Sequence, residues 1–190
     1  SLMERNVELA NAVIADDDEV DDCERRIDHL GMDLLVRFRP VATDLRLVVS
    51  SMKISMNLER IADHATSIAK RAKKISAHPH LPEATLIEPL YTLADHLLRD
   101  AISAYSDRDS ELGGSLHARD KELDRMHRAA TATFGSRIEQ CGGRSEDYLH
   151  LILVTRSLER VGDLAANIGD NAVFLDSARD LRHEGRREAK

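Results

Sequence analysis

A short segment occurs twice in this chain, and it limits the available folds more than any other feature. Leu58-Glu59-Arg60-Ile61-Ala62-Asp63 returns as Leu158-Glu159-Arg160-Val161-Gly162-Asp163, and subtracting 59 from 159 or 63 from 163 gives 100 each time. Residues four apart stack on one face of a helix, so each copy predicts a vertical pair of carboxylates. Like charges in that arrangement cost about 0.2 to 0.5 kcal/mol per exposed pair, which two matching copies could offset with a bound cation. The alternative is a solvated acidic face balanced by arginines. Arg156 stands three residues before Glu159, whereas Met56 holds that position in the first copy.

The surrounding periodicity is helical. Val7, Ala10, Val13 and Ile14 predict a helix over about 3–16 that ends in the acidic run Asp16 to Glu19. Val20, Cys23, Ile27, Leu30, Leu34 and Phe38 predict a second apolar stripe, stopped by Pro40. A third helix follows to about Ser76, with Ile54, Leu58, Ile61, Ala65, Ile68 and Ala72 on one side. His78-Pro79-His80-Leu81-Pro82 breaks the pattern, so the first half is expected to span 1–78, a linker 79–85 and the second half 86–190.

The second half repeats the plan. Leu90, Leu93, Leu97, Ala101 and Ala104 form a fourth stripe, and Leu116, Leu123, Met126 and Ala130 a fifth that Gly142-Gly143 should end. A sixth helix, with Ser145 as its expected N-cap, carries Leu151, Val154, Leu158, Val161, Ala165, Ile168 and Ala172. The expected fold is therefore all-α, a tandem repeat of two antiparallel three-helix bundles. Only 3% of residues are aromatic and 32% are charged, which also favours helices over sheets.

Antiparallel pairing about Pro40 sets Asp21 across from Glu59, and Asp17 one turn away toward Asp63. Pairing about Gly142 likewise brings Asp124, with Asp120, toward Glu159 and Asp163. Carboxylate clusters without paired Cys or His suit hard cations such as magnesium, calcium or manganese, or iron in an oxygen-rich setting. No Glu has a His three residues later, which argues against a ferritin-like oxidase. Zinc-protease, P-loop and Gly-x-Ser-x-Gly motifs are absent too, although a multinuclear metal site could still hydrolyse phosphate esters.

A net charge of −7, with no excess of Lys and Arg, argues against duplex nucleic acid as the main partner. The separate Cys23 and Cys141 read as reduced thiols, and no apolar run approaches the roughly 20 residues of a membrane span. The Lys70 to Lys74 run fits a helix C-terminus, and Arg179, Arg182, Arg186, Arg187 and Lys190 a solvated tail.

Leu58 to Ala65 and Leu158 to Ile168, with Pro40-Val41-Ala42-Thr43-Asp44-Leu45-Arg46, resemble the signatures of the PhoU family of bacterial phosphate-uptake regulators. Within that pattern Ala62 replaces Gly, Ser67 replaces Asn, Leu164 replaces His, and the family's first turns ahead of Met3 are expected to be missing. The resemblance implies multinuclear metal, often iron, at the Glu-x-x-x-Asp motifs, with zinc, magnesium, manganese and calcium left open. Glu59, Asp63, Glu159 and Asp163 are the expected main ligands, approached by Asp21 and Asp124, with Asn167 or Asp170 adding to the second site. It further implies a non-catalytic cytoplasmic adaptor, recruited to the inner face of the membrane by its partners. Those partners would be the ATPase subunit of a phosphate ABC transporter and a sensor histidine kinase, with homodimer formation left open.

Overall fold

The computed structural model describes residues 2–138 and 143–178. The readings of Cys141, Gly142 and the arginine-rich tail from Arg179 onward therefore lie outside the described residues. Those that are described form α1 (Val7–Ala15), α2 (Asp17–Phe38), α3 (Ala42–Ser76), a 3-10 turn (Pro82–Leu86), α4 (Ile87–Asp107), α5 (Ser110–Ile138) and α6 (Ser145–Ser177), with no strand among them.

Asp16 does not turn the chain, which changes the expected plan of the first half. At φ −72° and ψ −12° it stays in the right-handed helical region, and its N–H still donates to the Ala12 carbonyl at 3.0 Å. The acidic run begins α2 instead of terminating a separate bundle helix, because carboxylates in a first turn complement the helix dipole. Arg5 donates to the Ser76 carbonyl at 2.7 Å and to that of His78, which ties the start of α1 to the end of α3. At about 1.5 Å per residue, α1 and α2 together match the roughly 50 Å length of α3. The described part of the first half is thus a two-rod hairpin, not the expected three-helix bundle. Its turn is made by Arg39 in the left-handed conformation (φ 47°), followed by Pro40.

In the second half three helices do pack together. α6 lies at the centre, with α3, α4 and α5 all against it. Its expected stripe is buried throughout, as are Leu90, Leu97, Ala101 and Ala104 of α4. Ile54, Ile61 and Ile75 of α3 join the same apolar cluster, so one core runs across both halves. Ser145 is the first residue of α6 and not its cap: Arg144 occupies that position without a side-chain cap bond.

The stripe expected to bury α2 is the second correction. Leu30 is 60% and Phe38 72% exposed, and Cys23, Ile27 and Leu34 are exposed too. The side of α2 turned toward α3 carries Asp17, Asp21, Glu24, Asp28, Gly31 and Leu35 instead, all partly or fully buried. In the second half α4 covers the apolar stripe of α5, and no described helix of the first half takes that role for α2.

The segment between the halves is anchored. Leu81 and Ala84 are buried, His78 Nδ1 lies 2.8 Å from Asp147, and Tyr148 donates to Glu83. No helix among the described residues is long and apolar enough to cross a membrane.

Candidate metal centres

The carboxylates follow from helix register. α3 and α6 present Glu59/Asp63 and Glu159/Asp163, and each hairpin brings a second helix alongside. Three residues separate α2 from α3 and six separate α5 from α6, so α2 and α5 correspond at an offset of 103 instead of 100. Asp17 then matches Asp120, Asp21 matches Asp124, and Glu24 matches His127.

Electrostatics bear out this pairing. Burial holds Glu59 above the usual carboxylate range, with Asp63, Asp21 and Glu24 adding to the effect. Glu159 is raised by burial and by Asp163 and Asp124, while Arg160 and His127 oppose the shift. Asp120 is pushed up to about 6 by burial first, then by Asp163 and Asp124. The structure therefore brings Asp21 to Glu59 and Asp124 to Glu159, as hairpin counting predicts. Glu24 and His127 were missed. Each stands three residues beyond an identified Asp on the same helix face, a spacing that could have found them.

The fit to a cation rests on two matching atoms. Asp17 Oδ1 and Asp120 Oδ1 are both buried, and neither has a hydrogen-bond partner. An unsatisfied buried carboxylate oxygen is costly, and its occurrence at the same place in both halves is what a cation-binding seam would require. Gly162 admits the second of them, since a Cβ there would lie 2.6 Å from Asp120 Oδ1. Ala62 occupies the corresponding place in the first half, where Asp17 is only partly buried.

Other groups counterbalance the acids. Arg160 Nη1 donates to Asp163 at 2.8 Å, its Nε lies 3.4 Å from Glu159, and Arg128 reaches Asp124 at 3.5 Å. The counter-ion of the second pair is thus Arg160 and not the expected Arg156. Asp170 is buried one helix turn beyond Asn167, 2.9 Å from His117 Nε2, and this contact raises the His117 pKa. Asn167 is exposed at the edge of a cavity shared with Asp120 and Asp163. As the side chains stand, no three His, Cys, Asp or Glu residues among those described converge tightly enough to hold an ion.

Fold and seams together define a duplicated all-helical protein, each half of which carries an acidic pair facing a second acidic helix. The model of the PhoU domain matches this chain twice, over residues 1–72 and 87–172, and the chain belongs to the PhoU family. It is similar to the phosphate-specific transport system accessory protein PhoU homolog of Pseudomonas putida, with 33% identity over 97% of this chain and 73% of that one. A homolog of the same description from Caulobacter vibrioides is 32% identical over 95% of this chain and 79% of its own. The crystal structure of PhoU from Pseudomonas aeruginosa matches with a TM-score of 0.89 at 30% identity, covering 94% of this chain and 86% of that one. The PhoU structure from Streptococcus pneumoniae shares the fold, with a TM-score of 0.84 at 22% identity over 95% and 84% of the two chains.

Proposed function

We propose that this chain is a regulatory accessory protein of phosphate transport that works by binding and not by turnover. The observation that carries the reading is the double PhoU-domain match, together with relatives described as phosphate-specific transport system accessory proteins. On this reading the protein is cytoplasmic and restrains phosphate uptake and phosphate-starvation signalling. It does so by touching the ATPase subunit of the phosphate ABC transporter and a sensor histidine kinase. A stable contact of that kind would bury roughly 1,200 to 2,000 Å², and a transient one less.

The seams are the metal-holding part of this proposal. Asp17, Asp21, Glu24, Glu59 and Asp63 would serve the first centre, and Asp120, Asp124, His127, Glu159 and Asp163 the second, with Asn167 adjoining it. The orphaned oxygens of Asp17 and Asp120 support it. A bound ion would supply positive charge that neutralises the paired acids. The imidazole of His127 makes the second seam the better match for iron or zinc, while the all-carboxylate first seam suits magnesium, manganese or calcium as well.

A metal-free helical scaffold is the second reading, favoured by the contacts of Arg160 with Glu159 and Asp163. Metal analysis of unstripped protein separates the two readings. The regulatory proposal is tested by capture: the purified chain should retain the transporter ATPase or the kinase, and a deletion strain should express starvation genes in high phosphate. Turnover of a phosphate ester above about 1 s⁻¹, lost in a Glu159→Gln/Asp163→Asn variant, would replace it with a metallohydrolase.

A further inference from the structure

α3 and α6 pack antiparallel: Arg46 Nε donates to the Leu175 carbonyl at 3.3 Å, and His78 near the other end of α3 lies against Asp147 at the start of α6. Midway between these contacts, residues of α3 near 60 face their own 100-residue equivalents on α6. The two copies of the repeated arginine consequently line one cavity of about 560 Å³, with His64, His117 and Asn167.

We propose that this cavity between the halves is an oxyanion site, in which Arg60 and Arg160 hold a phosphate-class anion and His117 adds a donor. The proposal goes beyond the regulatory reading and needs no metal. Its chemistry rests on the donor set. Among the described residues no hydrogen bond or ion pair engages Arg60, whose charge bears on neighbouring Glu59, so its N–H donors can turn to a ligand. Arg160 turns Nη1 to Asp163 and Nε toward Glu159, which leaves Nη2 for a ligand. His117 is held at the cavity wall by Asp170, 2.9 Å from its Nε2. Against these stand the two carboxylates of the cavity, Asp120 and Asp163. Asp163 is already engaged by Arg160, while Asp120 lines the same cavity.

The volume falls within the 300 to 1,000 Å³ range of small-molecule sites, and no Phe, Tyr or Trp lines the cavity. Planar guanidinium forks favour a tetrahedral oxyanion with several charged oxygens over a halide.

The test is calorimetric titration of the chelator-treated chain with inorganic phosphate, and separately with pyrophosphate, against potassium chloride at matched ionic strength. Saturable phosphate binding is expected. Arg60→Gln should weaken it about tenfold or more, the usual effect of losing a charge-assisted hydrogen bond, and Arg60→Lys should fall between. Because Arg60 is exposed, both variants should keep the helical circular dichroism of the parent. Tighter binding of phosphate than of pyrophosphate assigns free phosphate as the ligand, and the reverse order assigns condensed or esterified phosphate. Heats no larger than those of potassium chloride, or equal affinity in the folded Arg60→Gln variant, would overturn the proposal. Failure of partner capture with phosphate binding intact would count against the regulatory reading alone.

Discussion

Gly113 and Gly169 meet backbone to backbone where α5 crosses α6: a Cβ on Gly169 would lie 2.6 Å from the Gly113 carbonyl oxygen, and one on Gly113 2.7 Å from that of Gly169. Neither oxygen can swing aside as a side chain could, so either Cβ would have to push two helices apart. Gly169→Ala is expected to destabilise the chain by about 1 to 3 kcal/mol, despite the roughly 1 kcal/mol that alanine gains over glycine inside a helix. Gly114, the next residue of the same helix, meets nothing within 4 Å. Gly114→Ala should therefore stabilise by up to about 1 kcal/mol, and urea melts of the pair provide the comparison.

Asp120 makes stability depend on pH in a definite direction. Its pKa rises from 3.8 to about 6 on folding, so the folded state holds the proton more tightly. The contribution is fully present below about pH 3.8 and is lost as pH rises through about 6. In chelator-treated protein, Asp120→Asn should raise stability at pH 7.5 by about 1 to 3 kcal/mol, because each tenfold change in proton affinity is worth roughly 1.4 kcal/mol. The same substitution should have little effect at pH 3.5. Denaturant midpoints at the two pH values would read this out. An equal effect at both would remove Asp120 as the cause.

Metal content should divide by halves. Glu159→Gln with Asp163→Asn is expected to abolish metal in the second seam and leave the first, and Glu59→Gln with Asp63→Asn the reverse. Metal analysis per chain checks both. Chelation should lower the melting temperature of the parent, because an ion bound only by the folded state stabilises it by mass action. Unchanged metal in either double variant would exclude that pair.

The uncovered face of α2 should behave as exposed apolar surface. Leu30, Leu34 and Phe38 are 60%, 41% and 72% exposed. Replacing all three by serine is expected to change stability by less than about 0.5 kcal/mol per site, while dye binding and self-association of the chain fall. A large stability loss would mean that these side chains are packed after all.

Much of this was legible in the sequence because the chain reports on itself twice. The offset of 100 located both acidic pairs, and counting outward from Pro40 brought Asp21 to Glu59. The stripe of α6 was readable because that helix is surrounded, so its apolar residues had to face inward. The stripe of α2 followed the same rhythm and misled. Periodicity identifies an apolar face but not whether anything covers it, and α2 turns its acids toward α3. Asp16 was misread because an acidic run suits both the end of one helix and the first turn of the next. Glu24 and His127 were obscured by their different chemistry, although they hold equivalent positions.

The unequal loops bear on how the halves should be compared. With three residues in one turn and six in the other, a single fixed offset aligns α3 with α6 but pairs α2 with the wrong residues of α5. Position in the chain has drifted between the copies while position across the helix pair has not. Any ancestry traced between the halves, or any seam residue transplanted from one to the other, must therefore be indexed by what it faces and not by where it falls in the linear order.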